Sequence, residues 1–264
     1  MISKSERLLI FRFLFSKKSD GYVSIFAWFS IIGISLGVAA IIIVMSVMNG
    51  FRIDLTNRII GLNSHLNIYS FDNKITNMNA DKIILNIDNS FYYQHYKSLE
   101  TNGLIIQSND SKGVMIKGYD SYDKNHYLFN SIIKGSLIKD PKNEVLIGDS
   151  LANEMNLTIG DKVKIAIPKT DKTILGNIPR FKTLEIVGIF DLGLYEYDSN
   201  LIFLSSNLVG KLLLYDKDIY NKIEFFTSSP NEIELFKNKV ELEISNLLLN
   251  FYSISWKDQN KTLI

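Results

Sequence analysis

Hydrophobic and polar positions divide this chain into two unequal regimes. From Gly21 to Phe51, between Asp20 and Arg52, the sequence carries no charged side chain. Only a lipid environment makes so long an apolar run comfortable. At 1.5 Å per residue a helix over this stretch rises roughly 45 Å, more than the roughly 30 Å of a bilayer's hydrocarbon core. The pattern predicts a transmembrane helix over 21–51 that tilts or emerges from the membrane. A secretory signal would have an apolar run of only about 7–15 residues ending at a small-residue cleavage site. Polar residues at helical spacing from Asn49 to Asn63 predict that the helix continues for some turns into solvent.

Beyond that point the pattern changes to short units. HLNIYS at His65 reads as a strand, ADKIILNI at Ala80 as a helix and SFYYQHY at Ser90 as a strand. The same order returns late, in KIEFFTSS at Lys222, NEIELFKNKVELEISNLLL at Asn231 and FYSISW at Phe251. These two stretches read as halves of one α/β layer. Between them lie six strand patterns, beginning at Gly103, Lys112, Glu144, Asp161, Lys182 and Asn200, so a β-rich insertion splits the layer. Ser150 to Asn156 reads as a short helix feeding a turn at Gly160-Asp161. The fold class expected is α+β.

Charge flanking the apolar run sets an orientation. Lys4, Arg7, Arg12, Lys17 and Lys18 precede it, whereas Arg52 and Arg58 follow it closely, so the positive-inside rule puts residues 1–20 in the cytoplasm. Leu8 to Phe15 mixes apolar residues with Arg12, which suits either a short helix on the leaflet or a plain basic anchor. Within the span Ala27, Ser30, Gly33, Gly37 and Ala40 recur at steps of three and four. That small-residue face, with its GxxxG pair, predicts close packing against another membrane helix. The rest of the sequence has no second span of suitable length.

Composition removes several classes of function. Lys and Arg number 29 against 28 Asp and Glu, which leaves no net field to recruit nucleic acid. The absence of cysteine excludes disulfides, thiol catalysis, cysteine-ligated metals and the acylation site of a lipoprotein. No GxxxxGK[ST] motif offers a phosphate cradle. His65, His95 and His126 lack metal-ligand spacing and read as ordinary surface or strand residues. Gly148-Asp149-Ser150 lacks the second glycine of a nucleophile elbow, and helix capping by Asp149 or Ser150 is the expectation there. Glu196 and Asp198 read as a solvated loop rather than an acid/base pair. No catalytic residue, cofactor or metal is expected, and the chain does not read as an enzyme.

Two segments carry a family resemblance. Ile31 to Leu62, with SVMNGF at Ser46 to Phe51 as its most telling part, resembles the first membrane helix of the LolC and LolE permeases of lipoprotein-releasing ABC transporters. Asn143 to Pro168, NEVLIGDSLANEMNLTIGDKVKIAIP, resembles the middle of their periplasmic domain. The resemblance implies a periplasmic domain over 52–264, with porter-like halves at 52–102 and 206–257 around an insertion at 103–205. It also implies a permease with four membrane helices, of which this sequence supplies the first. The chain therefore reads as a permease truncated before its second membrane helix.

Implied partners are a cytoplasmic ABC ATPase, met through the missing part, a second permease subunit, a periplasmic chaperone and lipoprotein substrates. Lipoprotein acyl chains would lie against the first helix, which makes Met45, Met48 and Phe51 candidates. The alternatives are a MacB-like efflux or signalling permease and a membrane-anchored periplasmic scaffold.

Pro168 to Lys182, PKTDKTILGNIPRFK, holds two of the chain's 4 prolines between β-patterned runs. Pro179 lacks a backbone donor and predicts an exposed bend rather than continued pairing. The turn formers Gly176-Asn177 would place Ile174, Leu175 and Ile178 at a protruding tip. LGNIP resembles the hook with which LolC captures its chaperone. A glutamine and an arginine past that hook form a supporting pad in the family, and Phe181 and Lys182 stand at the matching positions here.

Overall fold

The computed structural model describes residues 5–6, 8–10, 21–108, 110–122, 124–173 and 176–261. The chain divides into two compact units, residues 1–57 and 58–264.

In the first unit, Leu8–Ile10 is helical; the rest of the segment to Phe15, and the basic residues Lys4, Arg7, Arg12, Lys17 and Lys18, lie outside the described residues. Helix α1 runs without a break from Gly21 to Leu62. Within Ser24–Asp54 an 18-residue window reaches a mean hydropathy of 2.7, and this is the one helix among the described residues that is long and apolar enough to cross a membrane. The continuation past Phe51 follows the helical spacing of polar residues seen in the sequence.

The second unit is built on one ten-stranded sheet, with a separate two-stranded pair, β2 (Ile75–Thr76) and β10 (Ile219–Tyr220). Strands β1 (Leu66–Ser70), β3 (Gln94–Gln107), β11 (Lys222–Phe226) and β12 (Phe251–Ser255) lie in the order β12-β1-β11-β3, every neighbouring pair antiparallel. Helices α2 (Asn77–Asn86) and α6 (Ile233–Asn246) each link two of these strands. This is the split β-α-β arrangement of ferredoxin-like layers. Ile83 and Ile84 of α2 and Phe236, Val240 and Ile244 of α6 bury against Leu66, Ile68, Ile223 and Phe225. Thr76 starts α2 by accepting a hydrogen bond from the Asn79 amide at 3.3 Å.

Strand β3 belongs to two structures at once. Its first half pairs with β11, and Leu104 to Ile106 pairs with β7 (Lys162–Thr173). Its other edge carries β4 (Asp110–Tyr119). From β4 the pairing proceeds through β9 (Leu201–Ser205), β6 (Glu144–Gly148) and β8 (Gly176–Phe190), and β8 returns to β7. Six strands therefore close into a ring. Its interior is filled by alternate residues of every member: Ile105, Ile116, Ile147, Ile165, Ile186 and Ile202 are each fully buried. A short strand β5 (Ile132–Gly135) adds to β8 outside the ring. There Leu146, Phe190 and Phe203 form a further cluster with Tyr119 and Leu128.

Where β11 stops, a side chain continues the ladder. The Asn221 amide accepts from the Glu100 N–H at 2.9 Å and donates to the Glu100 carbonyl at 2.7 Å. The backbone groups of β3 are thereby satisfied at the point where the strand passes from the open layer into the ring.

Several sequence expectations need correction. The strand placed at Ser90 begins at Gln94, because Asp88 ties the preceding residues into a turn by accepting from Ser90 N–H. Phe91 and Tyr92 then stack on Phe236 instead of extending the strand. His65 and His126 are buried, not surface residues; His95 is exposed on β3. Helix α3 (Asp149–Glu154) is preceded by Gly148, without a side-chain cap from Asp149 or Ser150. A Cβ at residue 148 would lie 2.1 Å from the Asp198 carbonyl oxygen, so close backbone approach explains that glycine. Glu196 and Asp198 lie on helix α4 (Tyr195–Asn200), not in a solvated loop. Asp198 is buried because its carboxylate accepts from the Leu192 N–H at 2.8 Å and closes the loop after β8.

Candidate functional site

Strands β7 and β8 are longer than the ring they help to close. β7 pairs with β3 only from Lys164 to Ala166, and β8 pairs with β6 only from Glu185 onward. Past Ile167 and Arg180 the two pair with each other alone among the described residues, from Thr170↔Pro179 to Thr173↔Gly176, after an irregularity in register. A two-stranded ribbon thus projects from the ring.

Pro179 sits in the ladder opposite Thr170, where the sequence predicted a bend, directly beside the register irregularity between Ile167 and Thr170. Gly176 and Asn177 are likewise paired strand residues, not the turn itself. Gly176, Asn177, Ile178 and Pro179 are placed by their backbone, while Ile174 and Leu175 lie outside the described residues.

The ribbon's base is built from three segments. Alternation along β8 turns Phe181 outward, 55% exposed, with the Lys164 ammonium 5.2 Å from its ring centre. Arg180 donates from Nη1 to the Lys211 carbonyl at 3.1 Å, tying the ribbon to the last turn of helix α5 (Ser206–Leu213). Between them lies an open hollow of about 500 Å³ whose walls include Pro141, Lys142, Arg180, Phe181, Lys182 and Lys211. Four cationic side chains and one aromatic ring converge there. Asp140 stands close by: hydrogen bonds from the Lys142 amide and the Asn143 side chain, helped by the charges of Lys142 and Lys182, hold its carboxyl below the ordinary range. Such a surface suits an acidic or amphipathic protein segment.

Sequence reasoning singled out Lys182 and its neighbour Phe181, and both line this hollow. It missed Lys142 and Lys211, which lie far from the ribbon in sequence. A lysine in the last turn of a short helix is an ordinary feature and gives no signal of a site.

The other candidates lie on α1. Met45, Met48 and Phe51 are exposed, as are Ser30, Gly33, Gly37 and Ala40, with Ala27 half-buried. A Cβ at Gly33 or Gly37 would meet nothing within 4 Å. No group of three or more His, Cys, Asp or Glu side chains is placed to hold a metal ion among the described residues.

A buried charge network fixes the ring to the open layer. Lys222 and Glu224 of β11, Ser98 and Glu100 of β3 and Lys117 and Tyr119 of β4 form neighbouring rows, with Lys222 opposite Ser98, Ser98 opposite Tyr119 and Glu100 opposite Lys117. Glu224, fully buried, accepts from Lys117 at 2.8 Å, Lys222 at 3.1 Å, Tyr119 at 2.7 Å and Ser98 at 3.2 Å. Lys222 also reaches Glu100 at 2.8 Å. Burial alone would raise the Glu224 carboxyl, but the two ammonium groups outweigh it and hold it well below the carboxylate range.

Residues 27–241 match the family model of the MacB-like periplasmic core domain. The lipoprotein-releasing system transmembrane protein LolC of Neisseria meningitidis is 27% identical over 219 residues, covering 79% of this chain and 51% of that protein. LolC of Buchnera aphidicola from Schizaphis graminum is 28% identical over 258 residues, covering 96% of this chain and 61% of that protein. LolE of Haemophilus influenzae is 25% identical over 231 residues, covering 83% and 54%. The chain thus spans about half to three-fifths of the length of these relatives. Among solved structures, the periplasmic region of MacB from Actinobacillus actinomycetemcomitans aligns with a TM-score of 0.49 at 13% identity, covering 77% of this chain and 94% of that one. The chain belongs to the family of MacB-like periplasmic core domain proteins, and the resemblance to the LolC and LolE permeases read from its sequence is borne out.

Proposed function

We propose that this chain is the first membrane helix and periplasmic domain of a permease that releases lipoproteins from the inner membrane to a periplasmic chaperone. The observation that carries the reading is the similarity of 96% of the chain to a LolC protein of a lipoprotein-releasing system. In this reading residues 1–20 are cytoplasmic, 21–51 cross the membrane and 52–264 are periplasmic. The porter-like halves at 52–102 and 206–257 flank the insertion at 103–205, which carries the hook at 168–182. A second permease subunit packs on the face of Ala27, Ser30, Gly33, Gly37 and Ala40. Met45, Met48 and Phe51 offer apolar surface to the lipoprotein's acyl chains. A cytoplasmic ABC ATPase drives the cycle through the rest of the permease.

The ribbon is the capture element for the chaperone. Its outer part has no other strand beside it among the described residues, and its base opens onto the basic hollow that contains Phe181 and Lys182. Projection supplies reach, and the cationic base supplies electrostatic steering toward an acidic partner surface.

Orientation and activity are tested separately. Alkaline phosphatase fused near residue 100 is active if the domain is periplasmic; an inactive fusion there overturns the topology. Membranes carrying the full-length permease with its ATPase release lipoprotein to added chaperone in an ATP-dependent manner, and absence of release overturns the transport reading.

A further inference from the structure

His65 stands where the chain first joins the sheet and is 4% exposed. All of its hydrogen-bonding groups are engaged, by three segments of the chain. Its Nε2 lies 2.9 Å from the carbonyl oxygen of Ile60, in the final turn of α1. Its Nδ1 accepts from the Thr227 N–H at 2.9 Å, just past the end of β11. Its backbone N–H donates to the Phe225 carbonyl at 2.8 Å, and its carbonyl accepts from the Trp256 N–H at 2.9 Å.

Because Nδ1 accepts from a backbone donor, the ring proton sits on Nε2 and is donated to Ile60. The ring is neutral with one tautomer fixed; burial lowers its pKa and outweighs its two backbone hydrogen bonds, which act in the opposite sense. Phe226 holds the ring from the side, with centroids 5.7 Å apart. On the returning segment Trp256 is itself anchored, its indole N–H donating to the Pro230 carbonyl at 2.8 Å, and Ser255 and Asp258 form a capping box around the start of helix α7 (Trp256–Gln259).

We infer that His65 is a positioning residue that locks the final turn of α1 to the point where the chain leaves the sheet at Trp256, so that displacement of the one segment is passed to the other. A backbone pair alone would join β1 to its neighbours. The imidazole adds a side-chain bond that reaches back from this cluster into α1. Its use in a transport cycle rests on the permease reading above, whereas the lock itself rests on geometry within the domain.

Two half-replacements separate the imidazole's bonds. His65→Asn keeps an acceptor near Nδ1 and removes the donor to Ile60, and His65→Gln keeps a donor near Nε2 and removes the acceptor for Thr227. Hydrogen exchange is measured on the full chain in detergent, with thermal unfolding as a check on the fold. In His65→Asn, amides in 58–64 and in 255–260 both exchange roughly five- to ten-fold faster, while those of β3, β4 and β6 keep their wild-type rates. In His65→Gln, 58–64 keeps its wild-type protection and the loss falls on 227–229.

Unchanged exchange at 58–64 in His65→Asn overturns the inference, as does a rise at 58–64 that leaves 255–260 unmoved or a uniform rise across the domain. Should His65→Asn fail to fold, His65→Gln decides alone, and accelerated exchange at 58–64 there overturns it. None of these measurements depends on lipoprotein release, so failure of the lock and failure of the permease reading are told apart.

Discussion

Replacing Glu224 by Gln tests the joint between the ring and the open layer. The substitution preserves shape and removes the charge that offsets Lys117 at 2.8 Å and Lys222 at 3.1 Å. Glu100, 2.8 Å from Lys222 and 3.4 Å from Lys117, would then face two buried ammonium groups alone. Breaking a buried ion pair by removing one partner costs about 3–5 kcal/mol, because the surviving charge is left uncompensated. Glu100 remains to offset part of that charge, which argues for the lower end, about 3 kcal/mol. For a domain of this size that corresponds to a fall in Tm of roughly 6–12 °C.

Urea unfolding followed by far-ultraviolet circular dichroism measures the loss, with Lys112→Ala as the comparison. Lys112 pairs with Glu154 at the surface, where screening by solvent leaves such a contact little net contribution. The pH dependence has a definite sign. Glu224 has a depressed folded-state pKa, so its contribution is fully present above the unfolded value of about 4.3 and is lost as pH falls toward the folded one. The gap between wild type and Glu224→Gln is therefore constant from pH 6 to 8 and narrows below pH 4. A loss no larger than that of Lys112→Ala, or a gap that narrows on raising the pH from 6 to 8, refutes the reasoning.

Asp198→Asn acts in the opposite direction. Burial first, and then its neighbour Asp191, push the Asp198 carboxyl up to about 6, against the Leu192 N–H that favours the charged form. A raised carboxyl contributes stability at low pH that is lost as pH rises through about 6, so the uncharged amide is more stable than wild type by about 1 kcal/mol at pH 8, after allowing for screening by solvent at exposed Asp191, and equal to it at pH 4. Denaturant midpoints at the two pH values check this. Gly33→Leu and Gly37→Leu each place a bulky side chain on a face now open beyond 4 Å, so co-purification of partner subunits falls several-fold with either variant while membrane insertion is unchanged.

The membrane helix was legible because unbroken apolarity over that length has few other uses. The ring's interior was half legible: Val163, Ile165 and Ile167 alternate with Lys162 and Lys164, which identifies a strand and its buried face. Closure of the ring was not legible, since the contact of β7 with β3 is set by tertiary geometry. The charge network was hidden for a related reason. Lys117, Lys222 and Glu224 look like the solvated faces of two ordinary strands, and only the placement of β4 and β11 on opposite edges of β3 brings them together. At Pro179 the local rule against proline in a ladder gave way to a register irregularity that leaves a two-stranded ribbon intact.

The central claim is that the ribbon captures a periplasmic chaperone, and chaperone binding measured with ribbon variants tests it most directly. Interface energy concentrates in a few side chains, so the full chain with Ile178→Asp and Pro179→Ala should bind the purified chaperone at least ten-fold more weakly than wild type, with an unchanged circular dichroism spectrum and Tm. Wild-type affinity in that folded variant would contradict the account.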